Sequence, residues 1–195
     1  GATSFNQPLD NWNVGNVTTM SNMFREASAF NHPLNSWDVS KVKYMQFLFK
    51  STIYNQPLNN WDVSSVLNMQ EMFMGSDFNQ PINNWEVGSV TNMYRLFRQS
   101  DFNQPLNNWD MSKVVNLGQM FYRNTGNFNQ PLDNWVLSSA NSISFIFENC
   151  RSFDQPLNNW DTSTITDMRG AFKGTHSFNR PLDNWDVSNV TRMDD

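Results

Sequence analysis

The chain has 195 residues and a formal net charge of −5, and its apolar content comes largely from 16 Phe, 11 Met and 8 Trp. Its 13 Lys and Arg are scattered without a basic run, which excludes the usual electrostatic footprint of a nucleic-acid-binding protein and disfavours anionic membrane surfaces. Cys150 is the one cysteine, so an intrachain disulfide framework and a cysteine-based zinc site are excluded, and no apolar run approaches the roughly 20 residues of a membrane-inserted span.

A unit of about 25 residues repeats along the whole chain. Each copy carries one tryptophan, with a proline four residues before it. A fixed period of this length is the signature of a stacked repeat array, so we predict one domain over residues 1–195 with about eight coils. Because the chain begins and ends inside a repeat, we expect it to be a fragment of a longer protein, without its caps, export signal or anchor. The repeats are centred on Trp12, Trp37, Trp61, Trp85, Trp109, Trp135, Trp160 and Trp185.

The first predicted element of each repeat is a short β-strand that follows the proline. In the first repeat, Trp12 and Val14 are two residues apart, which is the spacing of one face of a strand. Pro8 cannot donate to a strand ladder and therefore marks the beginning of the strand. Stacked coils would place these strands side by side in one parallel sheet.

The second predicted element is a short helix. Val17, Met20 and Phe24 have the spacing of the inner face of a helix or 3₁₀ turn. A Ser or Gly precedes this segment in each repeat, here Gly15, as a helix N-cap would. The pattern therefore predicts an α/β solenoid with one short parallel strand and one short helix per coil.

A loop of variable length follows the predicted helix. It spans five residues from Phe73 to Phe78 and seven from Phe121 to Phe128, so insertions are accommodated here. The exposed positions that vary most between repeats lie around the helix and this loop: Arg25, Glu26, Lys41, Lys43, Arg95, Arg98, Gln99 and Arg151.

Two segments characterise the repeat: Phe-Asn-Gln-Pro-Leu-Asn-Asn-Trp-Asp-Val-Ser and Val-Thr-Asn-Met-x-x-x-Phe. Together they resemble the repeat of BspA-like leucine-rich-repeat surface proteins. That family occurs among bacterial surface proteins and lipoproteins, and also in protists and algae. The resemblance covers the whole chain and implies a leucine-rich-repeat-like solenoid, an extracellular or cell-surface location, and a role in adhesion or surface display. It implies no catalytic residues.

Two kinds of column run from coil to coil in this pattern. The tryptophans could form a ligand-stacking face, but the apolar residue two positions later favours a buried ladder. The asparagines could bond a ligand, but stacked amides can also satisfy backbone groups at a turn, which we prefer. They are the residues before tryptophan (Asn11, Asn60, Asn84, Asn108, Asn134, Asn159, Asn184) and those after the first aromatic residue (Asn6, Asn31, Asn55, Asn79, Asn103, Asn129, Asn179).

Acidic residues follow six of the tryptophans and are the candidate binding residues. If their side chains leave the sheet opposite Trp and Val, like charges about 5 Å apart repel, so a basic partner would be favourable there. Ca²⁺ is an alternative ligand, although we predict no fixed metal or cofactor. The other alternative is that each carboxylate accepts hydrogen bonds from the following turn. This acidic column comprises Asp38, Asp62, Glu86, Asp110, Asp161 and Asp186.

The remaining reactive or modifiable residues give no catalytic constellation. His32 and His176 occupy non-equivalent positions in distant coils, and Cys150 follows the core pattern, so we predict that the chain is not an enzyme. Asn16 and Asn189 begin N-glycosylation sequons, which have meaning only in a eukaryotic secretory pathway.

We therefore expect a non-catalytic extracellular repeat module for recognition of a protein or glycan, with a protein, cell-surface or matrix ligand as partner. The sheet face with its acidic column is one candidate surface, and the variable edge is the other. The alternative function is a structural spacer or filament component that contacts neighbouring copies. The uniform outward Asn, Asp and Ser of the repeats support that alternative.

Overall fold

The computed structural model describes residues 1–194, and neither predicted element forms within them. These residues contain no helix and no extended strand. Their regular pairing is a series of isolated parallel β-bridges, in which one residue of each repeat pairs with its equivalent in the next. The prediction of an α/β solenoid with a strand and a helix in each coil is therefore wrong. The bridged residues are Thr19, Tyr44, Asn68, Asn92, Asn116, Ser142, Asp167 and Arg192.

A run of tight turns replaces the predicted helix. In the fourth repeat, the N–H of Leu96 donates to the carbonyl of Met93 at 3.1 Å, and the N–H of Ser100 donates to that of Phe97 at 3.3 Å. The third residues of these turns, Arg95 and Gln99, have φ angles of 58° and 55°. A positive φ at the third position is the mark of a type II turn. A left-handed residue at every fourth position is incompatible with a right-handed α-helix.

Along these turns, successive N–H groups donate hydrogen bonds in alternation to carbonyls of the same coil and to carbonyls of the next coil. Alternate N–H groups from Met93 to Gln99 donate to alternate carbonyls from Asn116 to Tyr122 at 2.9–3.1 Å. Equivalent bonds join the other repeats, so the coils stack in parallel. The ladder lies where the helix was predicted.

The predicted strand consists of turns as well. Trp85 donates its N–H to the carbonyl of Ile82 at 3.1 Å, and Val90 donates to that of Val87 at 2.9 Å. Because these donors are used inside the coil, this side of the repeat forms no bridge to its neighbours in the part of the chain that the structure describes. The two-residue spacing of Trp85 and Val87 arises because one residue ends a turn and the other begins the next.

The core is a stack of aromatic rings. The ring of Phe97 lies 4.0 Å from that of Phe102 in its own coil and 5.9 Å from that of Phe121 in the next. Trp85 and Trp109 stack with centroids 6.4 Å apart and planes within 3°. Every tryptophan from Trp37 to Trp160 is at most 3% exposed, so their interpretation as a buried ladder is confirmed.

Candidate functional site

The six residues of the acidic column are all exposed, and most are hydrogen-bonded within their own turn. Oδ1 of Asp38 accepts the N–H of Ser40 at 3.1 Å and its hydroxyl at 2.6 Å. The serine two residues further on donates its N–H in the same way to Asp62, Asp110, Asp161 and Asp186. These serines were predicted as helix N-caps; instead they donate to the carboxylate two residues earlier.

These hydrogen bonds favour the ionised carboxylate. The hydroxyl and then the N–H of Ser40 hold the pKa of Asp38 below its ordinary value of 3.8. The corresponding serines lower the pKa of Asp110, Asp161 and Asp186. Local capping therefore accounts for these members of the column without a ligand.

Glu86 is the exception in this column. The residue two positions later is Gly88, which has no hydroxyl, and within residues 1–194 the carboxylate of Glu86 has no hydrogen bond or ion pair. In the same residues, no three His, Cys, Asp or Glu side chains are grouped to hold a metal ion. The column thus presents separate carboxylates, and the Ca²⁺ alternative stays a prediction.

The asparagines that follow the first aromatic residue of each repeat form a continuous ladder. Oδ1 of Asn79 accepts the N–H of Asn103 at 2.9 Å and the side-chain amide of Gln104 at 3.1 Å. The same backbone bond recurs from the pair Asn6 and Asn31 to the pair Asp154 and Asn179. The structural interpretation of this column is confirmed.

The second asparagine ladder lies one residue earlier than predicted. Oδ1 of Asn83, two residues before Trp85, accepts the N–H of Asn108 at 3.1 Å. Asn108 and the other residues directly before tryptophan mainly contribute their backbone N–H to this ladder. Equivalent acceptors are Asn35, Asn107 and Asn158.

A different surface carries the residues that vary between repeats. The tandem turns send Met93 and Leu96 into the core, where both are fully buried, and leave Tyr94 and Arg95 at the surface. Equivalent outward positions in neighbouring coils line up because the coils stack in register. We call this surface the turn face; its aromatic and charged members include Tyr44, Phe47, Lys50, Glu71, Tyr94, Arg95, Arg98, Tyr122, Arg123, Phe145, Glu148 and Arg169.

Arginines of the turn face lie over its aromatic rings. The guanidinium carbon of Arg95 is 4.5 Å from the centroid of Tyr94. Those of Arg98 and Arg123 are 4.5 Å and 5.3 Å from the centroid of Tyr122. Such cation–π contacts stabilise the side chains in place, so the face is ordered before any partner binds.

An ion-pair network joins three coils of the turn face. Glu71 is 5% exposed. Its carboxylate lies 2.7 Å from Nζ of Lys50 and 3.5 Å from Nη1 of Arg95. Because a buried carboxylate needs compensation, the two cations fix its position and are themselves held by it.

A hollow of about 260 Å³ opens on the turn face beside this network. It is lined by Arg95, Arg98, Gln119, Tyr122, Phe145 and Glu148. Nε of Arg98 is buried and has no hydrogen-bond acceptor within residues 1–194. A buried N–H without an acceptor costs about 1–3 kcal/mol, so a shift of this side chain toward an acceptor that enters the hollow would be favourable.

Sequence reasoning identified Arg95 and Arg98 as variable but missed Tyr94, Tyr122 and Phe145. Assigning the segment to a helix gave no reason to compare its outward positions from coil to coil. Aligning the residues that follow each inward Met or its equivalent would have shown these aromatic side chains on one surface.

The other residues singled out from the sequence lie apart from the turn face hollow. Asn16 and Asn189 are both exposed; Asn16 accepts a hydrogen bond from Lys41, and Asn189 donates one to the carbonyl of Ser163. Cys150 is 1% exposed, and burial raises the pKa of its thiol to about 12. Its sulfur donates to the carbonyl of Phe121, which is consistent with a core position.

The stacked, hydrogen-bonded coils define a repeat protein. A family profile described as "Mycoplasma protein of unknown function, DUF285" matches residues 1–77, 51–160 and 122–195, so the chain belongs to this family. No curated protein and no solved structure matches the chain. In the part of the chain that the structure describes, there is no helix that could cross a membrane.

Proposed function

We propose that the chain is a non-catalytic recognition module that binds a protein partner through its turn face. The observation that carries this proposal is the buried, unpaired Nε of Arg98 beside a hollow lined by Arg95 and Tyr122. Tyr and Arg are the residue types that concentrate at the energetic centres of protein interfaces. The recognised group is an acceptor that completes the hydrogen bonding of Arg98.

Charge supports an acidic surface on the partner. The turn-face residues named above include five Lys or Arg and two Glu, whereas the whole chain has a net charge of −5. Guanidinium groups already lie over the rings of Tyr94 and Tyr122, which favours carboxylate recognition by the guanidinium N–H groups over stacking of a sugar ring. The acidic column is the weaker candidate, because most of its carboxylates already bond to their own serines.

An extracellular or cell-surface location belongs to the same proposal. Its support is the resemblance of the repeat to BspA-like surface proteins, with which we propose a relationship in sequence. Labelling of intact source cells with an antibody against the chain tests this location. Labelling that requires permeabilised cells contradicts it.

The binding surface is tested with ligands selected on the protein. A phage-displayed random peptide library and a glycan array are screened on the wild-type chain, and each ligand is then measured on a Tyr94→Ala/Arg98→Ala variant. We expect peptides rich in Asp and Glu, with dissociation constants at least about tenfold weaker for the variant, equivalent to 1.4 kcal/mol.

The matched control is an Asp62→Asn/Asp110→Asn variant, which changes two exposed residues of the acidic column. It should bind the selected peptides as the wild type does. The proposal would be overturned if the control lost peptide binding while the turn-face variant kept it. It would also be overturned if the screens found ligands only among glycans.

A second candidate function is assembly of copies end to end. Its support is that every coil presents the same stacking surface to the next, as where Trp85 stacks on Trp109 and Phe97 on Phe121 with centroids 6.4 Å and 5.9 Å apart.

Sedimentation velocity over a wide concentration range tests the assembly function. Growth that increases with concentration supports stacking of copies. A monomer at all concentrations contradicts it and leaves recognition as the function to pursue.

A further inference from the structure

We propose that a hollow beside the longest loop of the array is a binding site for a small oxyanion group, held by Arg123 and Arg151. The loop from Phe121 to Phe128 spans seven residues, more than in any other repeat. The hollow measures about 330 Å³ and is lined by Arg123, Asn124, Thr125, Asn127, Asn149 and Arg151. It is distinct from the hollow at Arg98.

The two arginines of this site have no acidic partner. Neither forms an ion pair within residues 1–194, in contrast to Arg169, which lies 2.7 Å from Asp167, and Arg180, which lies 2.8 Å from Asp154. Two uncompensated guanidinium groups that line one hollow are favourable only beside water or an anion. In a chain of net charge −5, their convergence selects for negative ligands.

Carboxylates close to the loop are already bonded to other groups. Asp101 accepts the hydroxyl of Thr125 at 2.6 Å. Glu148 accepts the side-chain amide of Asn149 at 3.3 Å. Neither carboxylate lines the hollow, so the guanidinium groups of Arg123 and Arg151 are the charged groups that do.

The wall of the hollow is rigid and supplies a further donor. Asn124 donates to the carbonyl of Phe102 at 2.9 Å and accepts the N–H of Phe128 at 3.0 Å, which fixes the inserted loop at both ends. Oδ1 of Asn127 accepts the hydroxyl of Ser152 at 3.4 Å, so its NH₂ group remains available to a ligand. The paired N–H donors of the guanidinium groups and the amide donor can together bond the oxygens of a carboxylate, sulfate or phosphate.

The biological meaning of the site rests on the proposed function: the oxyanion is an acidic or modified group of the partner bound at the neighbouring turn face. The shared chemistry is a planar or tetrahedral group with several anionic oxygens. Measuring the affinity for a carboxylate, a sulfate and a phosphate separately shows which of these groups the site binds.

The test uses ¹⁵N-detected titrations of the wild-type chain with succinate, inorganic sulfate and inorganic phosphate, at ionic strength held constant with NaCl. Saturable shifts at the amides of Gly126 and Asn127 are expected for at least one of the three anions, and the tightest identifies the source. In Arg123→Gln and Arg151→Gln the dissociation constant should rise at least about tenfold. Arg180→Gln, which removes one charge at a residue paired to Asp154, should leave it unchanged.

Arg123 and Arg151 are both exposed, so the Arg123→Gln and Arg151→Gln variants are expected to unfold at the same temperature as the wild type. Thermal unfolding followed by circular dichroism checks this. Shifts that do not saturate, or that are equal in the Arg123→Gln, Arg151→Gln and Arg180→Gln variants, would overturn the oxyanion site. If anions bind but selected peptides ignore Tyr94→Ala/Arg98→Ala, the proposed function fails and the site stands. If peptides bind the turn face and no anion binds here, only the oxyanion site fails.

Discussion

Nε1 of Trp109 donates a 3.0 Å hydrogen bond to the carbonyl oxygen of Ile82, which lies 27 residues earlier in the chain. Each tryptophan from Trp37 to Trp185 makes the equivalent bond to the preceding coil at 2.9–3.0 Å. Within residues 1–194 the backbone forms no bridges on this side of the coil, so side chains join successive repeats here: the indole and the two asparagine ladders.

Trp109→Phe should destabilise the chain by about 1–3 kcal/mol, because the carbonyl of Ile82 keeps only the N–H of Trp85 as donor and the smaller ring leaves space in the buried stack. Trp12→Phe is the control, since Trp12 is 55% exposed and its replacement should change stability by no more than about 0.5 kcal/mol. Urea unfolding followed by circular dichroism measures both. Equal effects of the two substitutions would show that the inter-coil bond contributes nothing.

Asn79→Ala should also cost about 1–3 kcal/mol, because the N–H of Asn103 and the amide of Gln104 lose their shared acceptor. Asn79→Asp retains that acceptor, and Asp154 already occupies the equivalent position, where it accepts the N–H of Asn179. We expect Asn79→Asp to cost less than half as much in the same unfolding measurement. If Asp and Ala are equally damaging, acceptance by Oδ1 is not what the ladder requires.

Gln99→Val should destabilise the chain by about 1–3 kcal/mol, because a β-branched residue fits poorly at the φ of 55° found there. Gln99 is exposed, so lost packing contributes little. Gln99→Gly should be much milder, since glycine adopts this conformation readily. Lys113→Val, at an exposed residue without a positive φ, is the control for the valine side chain and should be close to neutral.

Acid should weaken the folded state through the acidic column. The pKa of Asp110 and Asp161 is lowered on folding by hydrogen bonds from Ser112 and Ser163. A lowered folded-state pKa contributes stability that is complete above the unfolded pKa of about 3.9 and is lost as the pH falls through the lower folded value.

The melting temperature should therefore fall between pH 4.5 and pH 2.5, and less steeply in an Asp110→Asn/Asp161→Asn variant. That variant should also melt below the wild type at pH 7, where the carboxylates are ionised. Scanning calorimetry at a series of pH values measures both. Parallel pH profiles for the two proteins would exclude these carboxylates as the source of acid sensitivity.

The inward positions of the repeat could be predicted from the sequence, but the backbone that presents them could not. Residues at the first and last positions of a four-residue turn are three apart, as Met93 and Leu96 are, and this matches the spacing of a helix face. Helix and tandem turns therefore share one hydrophobic period. What distinguishes them is the left-handed conformation of residues such as Glu71 and Arg95. Because neither residue is a glycine, the sequence does not indicate that conformation.

The candidate site was partly predictable for the same reason. Variability indicated Arg95 and Arg98, and chemistry indicated the acidic column. The capping of Asp38 by Ser40 and the placement of Arg98 beside Tyr122 depend on turn geometry and coil register, which the misassigned helix and strand concealed. The Asn79 ladder was found because its chemistry, an amide that stacks on its own copies, does not depend on the element that carries it.

The parallel indoles have a spectroscopic consequence. Trp135 and Trp160 stack with centroids 6.0 Å apart, and Trp160 and Trp185 with centroids 6.1 Å apart. At such separations, excitation absorbed by one ring transfers to the next before it is emitted. Because successive indole planes lie within 7° and 6° of each other, this transfer leaves the polarisation of the emission largely unchanged. A quencher that reaches the partly exposed Trp185 also dims the buried rings behind it.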